Sequence, residues 1–171
     1  MTVRARLYPI LAALAAATVA CSKSPAALEA ECEKGTAASC VAAGDAYLAG
    51  QGVAKDGDKA SMLFERACEG RDTAGCDKAR QLYEQGCAKN VGGACSLLGR
   101  MYLEGFGVAE DQPKALGLYK KACDLGQAVD CSNLAMMYAD GKGVAADPVM
   151  AASLYKKACD AGFKDACAKA R

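Results

Sequence analysis

Apolar and small residues recur at helical spacing along most of this chain. From Cys95 to Glu104, the positions Cys95, Leu98, Gly99 and Tyr102 fall at i, i+3, i+4 and i+7 and line one face of a helix. Gly105 to Val108, a Gly-x-Gly-Val stretch, ends that pattern. Asp111 stands near the next start, and Lys114 to Asp124 carries a second helical pattern. The unit therefore reads as two helices joined by a turn, and Gly44, Gly99 and Ala135 leave room for the paired helices to approach closely. Residues 1–20 differ from the rest: Arg4 and Arg6 precede an apolar run from Leu7 to Ala20 that contains Pro9. At 14 residues the run is shorter than the roughly 20 needed to span a bilayer, and it fits the apolar region of a secretory signal.

The helical unit repeats. Gly50, Gly52, Val53 and Asp56 recur as Gly105, Gly107, Val108 and Asp111, then as Gly141, Gly143, Val144 and Asp147. Lys59-Ala60 matches Lys114-Ala115, and Leu118-Tyr119-Lys120-Lys121-Ala122-Cys123 reappears as Leu154-Tyr155-Lys156-Lys157-Ala158-Cys159. A fixed period of 36 residues, from Cys87 to Cys123 and from Cys123 to Cys159, marks a solenoid.

Composition narrows the chemistry. The chain has 171 residues, 21 Lys plus Arg, 20 Asp plus Glu, no histidine and 11 cysteines. Without histidine there is no histidine base, ligand or triad, and a net charge of +1 offers no electrostatic footprint for nucleic acid. Removing Arg4 and Arg6 with residues 1–20 leaves 19 basic against 20 acidic residues. Ten cysteines form five pairs with partners eight positions apart: Cys32 and Cys40, Cys68 and Cys76, Cys87 and Cys95, Cys123 and Cys131, Cys159 and Cys167. In one helix, residues eight apart lie about 12 Å from each other, whereas a disulfide needs Cα atoms within about 7 Å. The chain must turn between them, and glycines near the middle of the intervals (Gly35, Gly70, Gly92 with Gly93, Gly126, Gly162) allow it to do so. Each pair can then staple one helix end to the next helix start, at about 2 to 3 kcal/mol per bridge in the chain-entropy model. Export to an oxidising compartment favours that reading. The absence of any Cys-x2-Cys pair argues against a metal site or a thioredoxin-type role, and no cofactor is expected.

Two resemblances extend this. Thr18-Val19-Ala20-Cys21 resembles the lipobox of bacterial lipoproteins, with Thr18 where leucine is usual. It implies that residues 1–20 are a signal peptide and that Cys21, the odd cysteine, becomes the lipid-bearing first residue of an anchor segment over 21–31. Ser22 after Cys21 is similar to bacterial outer-membrane sorting signals, so the resemblance implies an exported envelope lipoprotein facing the periplasm, attached to the membrane through that lipid only. From Cys32 to Cys167 the units resemble cysteine-rich Sel1-like repeats, relatives of the tetratricopeptide repeat. That implies an all-α fold, an α/α right-handed solenoid of helix–turn–helix units over 32–171 that scaffolds contacts with protein or peptide partners. The alternative implied by the cysteine-rich relatives is β-lactam binding or weak β-lactam hydrolysis.

One step departs from the period: Cys68 to Cys87 spans 19 residues. Residues 78–87 align with 114–123, so a second-helix pattern is present while the first helix and loop before it are missing. Cys76 and Cys87 then share a helix, on the same side and about 16 Å apart. A kink near Gly86, or a break in the superhelix within a truncated unit near 72–93, is the expectation, and the cysteine connectivity is most open there.

For catalysis, the one Ser-x-x-Lys match is Ser153-Leu154-Tyr155-Lys156. The equivalents of Ser153 are Met62, Gln81 and Gly117, Lys156 belongs to the repeat pattern, and no Ser-Asp-Asn or Lys-Thr-Gly follows. It reads as a helix face, and no catalytic residue is assigned. For binding, the first helices present Val41, Ala42 and Asp45, then Leu97, Arg100 and Met101, then Asn133, Met136 and Met137. Leu97, Arg100, Met101, Asn133, Met136 and Met137 are the candidate partner-binding residues, because exposed Leu and Met beside polar groups suit a groove for protein segments.

Overall fold

The computed structural model describes residues 23–170, and the signal-like run and Cys21 lie outside them. The described residues form α1 (Pro25–Glu33), α2 (Ala37–Ala49), α3 (Gly57–Glu69), α4 (Thr73–Ala88), α5 (Gly92–Glu104), α6 (Gln112–Asp124), α7 (Ala128–Asp140), α8 (Pro148–Asp160) and a 3-10 turn (Lys164–Ala166).

Two kinds of connection alternate. Long loops follow α2, α5 and α7, where Gly50, Gly105 and Gly141 close the helix at φ of 72°, 66° and 70°, a left-handed conformation that disfavours a Cβ. Each loop is pinned by a backbone N–H donated to a tyrosine carbonyl: Asp56 to Tyr47 at 3.0 Å, Asp111 to Tyr102 and Asp147 to Tyr138 at 2.8 Å. The same aspartates cap α3, α6 and α8, each Oδ1 accepting from the N–H three residues on at 2.9 Å.

Tight turns follow α1, α3, α4, α6 and α8, and each carries a disulfide: Cys32–Cys40, Cys68–Cys76, Cys87–Cys95, Cys123–Cys131 and Cys159–Cys167, with Cα atoms 4.5 to 4.8 Å apart. The helices joined this way run antiparallel. In three turns the left-handed residue is Gly35, Gly126 or Gly162. In the two turns flanking α4 it is Arg71 and Asn90, both at φ 62°, which corrects the expectation that Gly70, Gly92 and Gly93 make those turns. Gly70 has φ −72°, and Gly92 and Gly93 belong to α5.

Consecutive helices pack in sequence, and alternate helices form two layers. A polar contact bridges every alternate pair: Lys59–Glu29 joins α3 to α1, Arg100–Glu65 joins α5 to α3, and Ser96 to Asp130 at 2.8 Å joins α5 to α7. On the other layer Lys78–Asp45 joins α4 to α2, Lys121 Nζ donates to the Cys87 carbonyl at 2.7 Å between α6 and α4, and Lys157–Asp124 joins α8 to α6. The apolar interior lies between the layers. One cluster runs through α3, α4 and α5 (Ala60, Phe64, Ala79, Tyr83, Leu98, Met101) and another through α6 and α7 (Ala115, Tyr119, Leu134, Met137).

The expected break within 72–93 takes another form. α4 is one helix from Thr73 to Ala88, with Cys76 bonded to α3 and Cys87 to α5. Entered and left by tight turns, it takes the place of a helix pair. As a result the layers exchange roles. α2, which enters a long loop, shares a layer with α6 and α8, which leave one; α3, which leaves a long loop, shares a layer with α5 and α7, which enter one.

Loop 105–108 shows the consequence. Gly52 lies against Pro25 of α1, where a Cβ would stand 3.5 Å from Pro25 Cδ, and Gly143 lies against the Gln112–Pro113 peptide of α6. Gly107 instead lies on the Cys68–Cys76 disulfide, where a Cβ would stand 2.5 Å from Cys76 Cβ and 2.7 Å from its Sγ.

Candidate functional site

Among the hollows that open on the array, three lie along α1, α3, α5 and α7. The first, about 300 Å³, lies between α5, α6 and α7. Its walls include Arg100 and Glu104 on α5, Asn133 and Met136 on α7, and Lys142 from the following loop. Tyr119 forms its floor and is buried; burial first, then the Asp130 and Glu104 carboxylates, push its hydroxyl pKa up to about 12. Behind Asn133 sits Asp130, 2% exposed, which accepts from Ser96 Oγ at 2.8 Å and Asn133 Nδ2 at 3.2 Å. Burial raises its carboxyl pKa while these two bonds pull it down. Asn133 is thus held by a bond from below.

A second hollow, about 390 Å³, lies over α4 between the starts of α3 and α5 and is lined by Leu82, Tyr83, Gly86, Val91, Ala94 and Leu97. A third, about 470 Å³, lies between α1 and α3, with Glu29, Lys59, Met62, Glu65 and Glu69 among its lining.

The structure therefore brings Arg100, Asn133 and Met136 together in one hollow and places half-buried Leu97 in another. Met101 is corrected: at 3% exposure it is a core residue against the α3–α4–α5 cluster, while Met137, 2% exposed and packed against Tyr119 and Leu134, lines the floor of the α5–α7 hollow beside Tyr119 rather than standing exposed. A helix packed between two antiparallel neighbours buries a wider arc than a single stripe, so the residue after Met136, about 100° round the helix, already points inward. Tyr119, Glu104 and Leu103, which also lines this hollow, escaped the sequence reading. Tyr119 repeats as Tyr155 and reads as core, and nothing local shows that the facing helices leave its edge uncovered.

Ser153 is exposed on α8, and Lys156 is paired with Asp160 at 2.8 Å on the helix surface. Neither lines a hollow described above. Among the described residues no group of three Cys, Asp or Glu is placed to hold a metal ion, and no helix is long and apolar enough to cross a membrane.

This is a disulfide-stapled helical-repeat protein with open hollows between its helices. Sel1 repeats are recognised at residues 37–72, 75–91, 93–127 and 128–163, the short second match falling on α4. The chain belongs to the Sel1 repeat family, whose repeats generally scaffold protein–protein contacts. Among solved structures it is similar to the Helicobacter pylori cysteine rich protein B, with 34% identity and a TM-score of 0.54 over 67% of this chain and 94% of that one. It is also similar to a protective antigen of uropathogenic Escherichia coli strains that displays an SLR fold (26% identity, TM-score 0.52, 85% of this chain and 35% of that one). A Sel1 repeat protein from Oxalobacter formigenes shares the fold at 22% identity and TM-score 0.50, over 83% of this chain and 63% of that one. The chain thus spans less than two thirds of the last two proteins. No curated protein matches it.

Proposed function

We propose that this protein is an exported, lipid-anchored envelope scaffold that holds a segment of a protein partner in the hollow between α5, α6 and α7. The observation that carries the reading is Met136: a 39% exposed methionine beside Arg100 and Asn133, over a buried tyrosine floor, in a family of interaction scaffolds. An apolar anchor ringed by polar groups is the anatomy of a recognition site. Export and lipidation are supported by the signal-like run, by Cys21 and by five disulfides, which suit an oxidising compartment.

A photo-crosslinking side chain at Met136, with the same group at Ser153 on the other layer as control, tests the site in cells. A protein adduct from position 136 and none from position 153 is expected; identical adduct patterns would sink the assignment. Labelled palmitate should enter the wild type and not Cys21→Ser, and equal labelling of both would remove the anchor.

A further inference from the structure

We infer that the layer of α1, α3, α5 and α7 is one continuous docking face, and that its partner segment carries basic side chains around two apolar anchors. The inference rests on the protein-binding reading above and adds the extent of the surface and the chemistry of the occupant. Continuity follows from α4. With a full helix pair in its place, α3 and α5 would lie on opposite layers; with α4 alone they share one. The hollow between α1 and α3 includes Glu65, the hollow between α5 and α7 includes Arg100, and Glu65 and Arg100 are ion-paired. Two hollows thus adjoin along one face, and each offers an exposed methionine, Met62 at 69% and Met136 at 39%.

Charge selects the occupant. In these hollows Lys59 pairs with Glu29, Arg100 with Glu65 and Lys142 with Asp140. Glu33, Glu69 and Glu104 have no ion-pair partner among the described residues, against one such cation, Arg66. The face therefore keeps a surplus of carboxylate beside its two methionines. The opposite layer does not: Asp45, Asp77, Glu84, Asp124 and Asp160 all hold a lysine or arginine. A segment with lysine or arginine flanking apolar side chains would supply the missing counter-charges while its apolar groups cover the methionines.

The repeat provides its own control. Glu69 and Asp160 are the last residues of α3 and α8 and occupy equivalent positions, one on each layer. Fluorescence anisotropy of the oxidised protein would use three labelled peptides, in which leucine alternates with lysine, glutamate or serine. The lysine peptide should bind, its affinity should fall as salt is raised, and E69K and E104K should each weaken it about 3- to 10-fold, as expected for reversing one exposed charge. D160K, with the same change in net charge, should alter it by less than about 2-fold. If E69K acts no more strongly than D160K, the α1–α3 hollow is not part of the surface. If the glutamate peptide binds equally well, charge does not choose the partner. Serine-peptide binding that Met136→Ser weakens while E69K leaves it unchanged would overturn this inference and leave the α5–α7 reading standing. Binding of none of the three also overturns it, and crosslinking at Met136 then decides the earlier reading by itself.

Discussion

Substitution Gly107→Ala isolates the contact that the short α4 unit creates. Gly107 has φ 69°, and a left-handed residue with a Cβ costs about 1 to 2 kcal/mol. The added Cβ would also lie 2.5 Å from Cys76 Cβ, 2.7 Å from its Sγ and 2.9 Å from Cys68 Sγ. A disulfide cannot rotate away, so the loop must move, and overpacking of this kind costs about 1 to 3 kcal/mol. The expected loss is about 2 to 5 kcal/mol. Gly52→Ala is the matched control: its φ is 72°, but the nearest atom is Pro25 Cδ at 3.5 Å, ordinary contact. It should lose only the backbone part, about 1 to 2 kcal/mol. Urea unfolding of the oxidised proteins, followed by far-ultraviolet circular dichroism, measures both, and hydrogen exchange across 105–111 locates the damage. Equal losses in the two variants would refute the seating of loop 105–108 on the disulfide.

Other outcomes follow from the same geometry. Arg71 is exposed at φ 62°, so Arg71→Gly should stabilise the protein by about 0.5 to 1 kcal/mol, read from the urea midpoint; destabilisation would place the strain elsewhere. Eight of the ten paired cysteines are buried while Cys159 and Cys167 are half-buried, so graded reduction with alkylation and mass spectrometry should open Cys159–Cys167 first, and early labelling of Cys95 or Cys123 would contradict this. Burial raises the Asp130 pKa, so the folded protein keeps this proton to higher pH than the unfolded chain does. Its contribution to stability is therefore full below the unfolded pKa and lost as pH rises through the folded one. The stability of Asp130→Asn relative to wild type should climb across that window and stay flat below it; a gap that widens toward low pH would reverse the sign.

Much of this protein is decided locally. Helices start where Asp56, Asp111 and Asp147 can cap them and stop where Gly50, Gly105 and Gly141 can turn left-handed, and both devices act within a few residues of chain. Cysteines eight apart cannot meet within one helix, so their spacing already demands a turn. The helices, the period and the anomaly at Cys68 to Cys87 are for that reason readable from residue order. What the anomaly does is not, because it depends on which helix lies across from which. Omitting one helix from an alternating array changes nothing local, yet it moves every later helix to the opposite layer. That parity puts Arg100 beside Glu65, sets Gly107 on a disulfide and joins two hollows along one face. It is also why Met136 and Met137, neighbours in sequence with the same side chain, differ: one is exposed in the wall of a hollow, the other buried at its floor. Burial on a helix packed from two sides is set by partners that the sequence places far away.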